Sequence, residues 1–87
     1  MNSPCGAPVN VTSSTVIKKI PGNLLGFYVN STSTGTIILY DAASAVTTTP
    51  ISGTITPAIG WHAFPAGLVN GLYVVIANTL NVTLIVE

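Results

Sequence analysis

The sequence predicts an all-β fold: a small antiparallel β-sandwich or barrel, jelly-roll-like or immunoglobulin-like. Three observations lead there. Val, Ile, Thr and aromatic residues gather in short runs, the composition that suits a pleated sheet. Pro, Gly, Asn and Ser interrupt these runs at roughly 8–12-residue spacing, which gives about seven or eight short strands. No stretch keeps apolar residues at the i, i+3, i+4, i+7 spacing of an amphipathic helix.

The elements follow in order. Residues 1–8 read as a flexible arm, because Pro4, Gly6 and Pro8 interrupt any regular element. Residues 9–87 form a single β domain. The first strand covers residues 9–18, where Val9, Val11, Ser13, Thr15 and Ile17 share one face at period two. Pro21, Gly22 and Asn23 then turn the chain. A second strand spans residues 24–32, with Gly26 marking a bulge or a close contact. Residues 31–35 make a hairpin-type loop into a strand at residues 36–41. One short helical turn fits residues 42–46. A weak edge strand at 46–49 stops at Pro50, and a short strand at 53–56 stops at Pro57. Residues 60–64 are extended, Pro65, Ala66 and Gly67 turn, and Leu68 links. The strongest strand is 71–78. Its apolar run at residues 72–77 does not alternate, which predicts burial on both faces. Residues 78–81 turn, and residues 82–87 close the domain.

Charge decides more about function than pattern does. Lys18, Lys19, Asp41 and Glu87 are the formally charged residues, 5% of the chain against about one-quarter in an average domain. The net charge is zero. Thr, Ser and Asn keep the surface polar instead, and hydroxyls pack against a partner at less desolvation cost than carboxylates. Near zero net charge a protein tends to self-associate. A domain this small usually needs disulfides, a metal or oligomerisation to be stable. Cys5 is the single cysteine, so no intrachain disulfide forms. Oligomerisation is the staple left open.

The residues offer little for catalysis. His62 is the single histidine and Asp41 the single internal carboxylate, so a triad would require both to converge on one Ser or Thr. The expectation is that His62 packs beside aromatic residues. No metal, cofactor or catalytic site is expected, because Cys5 and His62 are isolated and zinc asks for about four such ligands. Lys18 and Lys19 would neutralise about two phosphates, too few for nucleic-acid binding. Trp61 is the best candidate for an interface anchor, since tryptophan is enriched at binding hot spots; a place in the core fits it equally. The candidate interface residues are Pro4, Cys5, Pro8, Trp61, His62 and Phe64. No signal peptide or membrane span is expected: residues 1–8 lack a basic and an apolar region, and the longest apolar block has six residues at 72–77. Sequons at Asn10, Asn30 and Asn81 are expected by chance in a chain rich in Asn and Thr.

The segment NLLGFYVNSTSTGTIILYD at residues 23–41, FPAGL at 64–68 and GLYVVI at 71–76 resemble a recurrent type of small virion structural protein of tailed phages, the capsid decoration or cement type. The resemblance covers residues 16–87. It implies a role as a cement protein on the virion capsid surface, with the major capsid protein as partner and with other copies of the chain in a homodimer or homotrimer. It carries over no active-site residues; no nucleic-acid partner is expected from two lysines, and no membrane partner from a chain without a long apolar run. Two alternatives stand beside it: a tail, neck or fibre-associated β-module of the virion, and a carbohydrate-binding adhesin module.

Overall fold

The computed structural model describes residues 7–87. It contains five strands: β1 (Ala7–Val11), β2 (Thr15–Lys18), β3 (Gly22–Tyr40), β4 (Gly60–Leu68) and β5 (Leu72–Val86). They form one antiparallel sheet in the order β1-β5-β3-β4, and β2 also pairs with β5. The all-β class holds. Five strands, two of them long, replace the seven or eight short ones expected.

The difference arises because two expected turns are not turns. The loop at residues 31–35 and the turn at 78–81 stay paired to each other, with Ser31 opposite Asn81 and Thr32 opposite Leu80. β3 and β5 therefore run side by side from Leu24–Val86 to Tyr40–Tyr73. Register shifts lie between Val29 and Ser31 and between Ser33 and Thr34. Thr34 and Asn78 take positive φ, 54° and 60°. Such bulges bend a strand pair sharply without ending it. The polar residues there mark an exposed bend, not a chain reversal.

The first expected strand, residues 9–18, breaks at the same level. β1 pairs with the C-terminal half of β5 and β2 with its N-terminal end. Ala7 and Pro8, expected in the arm, belong to β1 and lie opposite Val86 and Ile85. The rest of the expected arm, residues 1–6, lies outside the described residues. β4 runs through the expected turn at Pro65 to Gly67. Proline is tolerated there because β4 is an edge strand with only β3 beside it. The strands expected at 46–49 and 53–56 are reduced to isolated bridges, Tyr40–Pro50 and Ile37–Ile55. Residues 43–45 form bends, and no helical turn lies at 42–46.

Alternation builds the core. Leu72, Val74, Leu80, Val82, Leu84 and Val86 of β5 point inward, as do Phe27, Val29, Ile37 and Leu39 of β3. With Leu24, Leu68 and Val11 they form one cluster that draws on both sides of the bend. Among the described residues no polar side chain is buried. Tyr73 and Val75 are only half-buried. The run at 72–77 is thus buried on one face, not two, because an antiparallel sheet of this kind has one core face and one outer face.

Candidate interaction faces

Residues directly opposite in neighbouring strands project from the same face. On the β1–β4 side of the bend, Asn10 lies opposite Thr83, Thr83 opposite Tyr28, and Tyr28 opposite Trp61. These four residues make one row across β1, β5, β3 and β4, about 14 Å long at the usual spacing between strands. Both aromatic members face solvent: Tyr28 is 46% exposed and Trp61 50%. Gly26, two residues before Tyr28, belongs to the same face. A Cβ placed on Gly26 would fall 2.7 Å from Cη2 and 2.8 Å from Cζ2 of Trp61. The indole therefore lies against the Gly26 backbone, which is how a glycine on the outer face comes to be buried.

An amide network fixes the other end of the row. Asn10 Nδ2 donates to Asn81 Oδ1 at 2.8 Å and to Thr83 Oγ1 at 3.0 Å. Asn30 Nδ2 donates to the same two acceptors, at 3.2 and 3.0 Å. The three sequon asparagines, far apart in sequence, meet here. Their convergence comes from the register of β1 and β3 on β5, which no local sequence signal encodes.

Beyond the bend the outer face has a different character. Tyr73 lies opposite both Tyr40 and Val16, and Tyr40 bridges to Pro50. The tyrosine rings are 6.0 Å apart and tilted. Ile38 opposes Val75 in the next outward row. This face carries tyrosine and aliphatic side chains without a fixed amide row.

The expected interface residues do not make one patch. Trp61 points outward and Pro8 is exposed on β1. His62 and Phe64 occupy the alternate, inward positions of β4. The His62 ring packs 5.3 Å from that of Phe27, and its Nε2 donates to Ala58 O at 2.7 Å. The carbonyl can only accept, so Nε2 carries the proton. Phe64 packs on the core cluster. Pro4 and Cys5 lie outside the described residues.

Asp41 serves the fold. Its Oδ1 accepts from the backbone N–H of Asn70 at 2.8 Å, Val69 at 3.1 Å and Gly71 at 3.3 Å. The Asn70 N–H leads in holding the carboxyl below its ordinary range; partial desolvation opposes it, and the Val69 and Gly71 N–H groups add to it. Asp41 thereby ties the end of β3 to the β4–β5 turn. His62 is most of β4 away from that turn, roughly 20 Å along an extended strand, so the two groups do not act together. Among the described residues no three His, Cys, Asp or Glu side chains gather as metal ligands do.

Comparison with protein-family models, curated proteins and solved structures gave no match for the chain.

Proposed function

We propose that the protein is a structural component of a phage virion, a capsid decoration or cement protein that works by packing against the outer capsid lattice. The observation that carries this reading is the nearly charge-free surface on a small sheet with exposed large apolar residues, among them Ile20, Tyr28, Val46, Ile59, Trp61 and Val69. Such a surface loses little by desolvation when neutral protein covers it. The pattern of residues 23–41, 64–68 and 71–76 supports the same reading through its likeness to the cement type.

The finer fold belongs to the proposal. The shared core of the two halves and a smallest dimension of 16 Å fit a sheet folded over on itself as a small sandwich, whose layers pack about 10 Å apart. The apolar outer face around Tyr40, Tyr73, Ile38 and Val75 is the surface assigned to contact with copies or capsid. In this reading the oligomer, a dimer or trimer, bridges neighbouring capsid subunits and resists expansion of the head.

Quantitative mass spectrometry of purified particles tests it. Capsid-lattice stoichiometry is the expected result. A dozen or fewer copies would move the protein to the tail or neck, and absence from every particle would overturn the virion reading.

A further inference from the structure

We infer that the row formed by Asn10, Thr83, Tyr28 and Trp61, with Asn30 and Asn81 beside it, is a binding site for an uncharged oligosaccharide. This goes beyond the virion reading and does not depend on it.

The Trp61 ring supplies the first half of the argument. It rests on the Gly26 backbone, half exposed, so its position is set by the strand beneath it. Half of the Trp61 side chain remains open to solvent as aromatic surface. The C–H face of a pyranose ring stacks on such a surface, because polarised C–H bonds meet the negative face of the ring. Tyr28 lies directly opposite and lengthens the platform.

The amide network supplies the second half. Asn10 and Asn30 spend their Nδ2 groups on Asn81 Oδ1 and Thr83 Oγ1. Asn10 Oδ1, Asn30 Oδ1 and Asn81 Nδ2 make no hydrogen bond to another of the described residues. These groups are two acceptors and a donor, held in place by the bonds their other atoms make. Hydroxyls of a saccharide both donate and accept, so they match this mixture. Side chains already held by their neighbours lose little freedom on binding.

Charge selects among ligand classes. The row carries no Lys, Arg, Asp or Glu. A nucleic acid needs cations for its phosphates, which this face lacks. An anionic glycan finds no counter-charge either. A neutral glycan of a few linked rings matches both the length and the chemistry of the row.

Trp61 is the single tryptophan, so its fluorescence reports on this face directly. The test titrates the full chain with neutral trisaccharides built on glucose, N-acetylglucosamine, mannose and galactose, and with sialyllactose as an anionic control. The expected result is a saturable emission change with at least one neutral sugar and none with the control. By saturation-transfer NMR, Trp61→Ala should weaken binding of that sugar at least tenfold, Trp61→Tyr should retain most of it, and Tyr40→Ala on the other face should leave it unchanged. Circular dichroism checks that each variant folds; Trp61→Tyr keeps an aromatic cover on Gly26 if Trp61→Ala does not fold. The inference is overturned if no neutral sugar registers at about 10 mM, where even a millimolar dissociation constant would be seen. Binding that survives in folded Trp61→Ala also overturns it, as does an emission change that follows protein concentration without sugar, which would assign the face to a second copy of the chain.

Discussion

The side-chain amide of Asn78 donates to the carbonyl oxygen of Thr34 at 2.9 Å, and these two residues are the non-glycine positions with positive φ among the described residues. They face each other near the middle of the β3–β5 pair, where Ser33 and Thr34 both register against Thr79. The bond locks the bend from both strands at once.

The first prediction concerns this lock. A β-branched threonine in the left-handed region is strained by about 1–2 kcal/mol. Thr34→Gly should therefore be neutral or stabilising by up to about 1 kcal/mol, since relief of strain competes with the larger freedom of glycine in the unfolded chain. Asn78→Ala keeps a Cβ and removes the donor, and should cost about 1–2 kcal/mol. Asn78→Gly loses the donor without the steric penalty and should cost less. Urea midpoints rank the three variants. If Asn78→Ala proved as stable as the parent, the bond would have no part in holding the bend.

Gly26 gives a second prediction. A methyl group there meets His62 O at 2.5 Å and the Trp61 ring at 2.7 Å. The carbonyl belongs to the paired strand and cannot swing aside. Gly26→Ala should destabilise by about 2 kcal/mol or more, in the range of overpacked sites. It should also change Trp61 emission by lifting the ring. Gly53→Ala, where a Cβ meets nothing within 4 Å, should stay within about 0.5 kcal/mol of the parent. Equal stability of the two variants would contradict the packing of Trp61 over Gly26.

Sequence pattern carried the all-β class but not the strand count, and particular residues explain why. Thr34, Gly35, Asn78 and Asn81 are residues that punctuate turns, so local reasoning ends strands at them. The same residues serve a bulge, and only the pairing of the partner strand separates the two cases. The closing strand expected at 82–87 is the C-terminal part of β5, whereas residues 72–77 read as buried on both faces because Tyr73 and Val75 are apolar yet outward. The sequence left Trp61 open between an interface and a core position, and the structure leaves it 50% exposed. Its neighbours in space were not legible, since Asn10, Tyr28 and Thr83 reach it through sheet register alone. His62 was legible as an aromatic-packed residue, and Phe27 fills that role.

The third prediction concerns acid. Asp41 has a lowered carboxyl pKa in the folded chain, led by the Asn70 N–H. A depressed folded pKa means that the stabilisation is complete above the unfolded value of about 3.9 and is lost as pH falls through the folded value. Stability should thus decline below about pH 4. Asp41→Asn should flatten that decline. At neutral pH it should cost about 1 kcal/mol, the low end for charge-assisted bonds, because water reaches the carboxylate. Thermal unfolding across pH 2–7 reads both effects on the scale set by ordinary carboxyl ionisation. An unchanged acid limb in Asp41→Asn would remove Asp41 as its cause.

The last prediction separates the two faces of β5. Leu72 is fully buried, whereas its neighbour Tyr73 is half-buried beside Tyr40 and Val16. Leu72→Ala should cost about 2–5 kcal/mol, the range for a leucine cavity in a packed core. Val75→Thr, on the outward side, replaces a methyl with a hydroxyl that water can reach, and should cost less than about 1 kcal/mol in an isolated chain. The same substitution has a second consequence if this face is the one covered in the assembly. Covering the new hydroxyl without a partner then carries a desolvation penalty of about 1–3 kcal/mol, which lowers the association constant roughly 5- to 150-fold. Sedimentation over a range of concentrations distinguishes these terms from monomer stability. A Val75→Thr chain that folds normally and associates less would place the contact on the tyrosine face. Unchanged association would move it elsewhere, with the outward row of Tyr28 and Trp61 the next surface to examine.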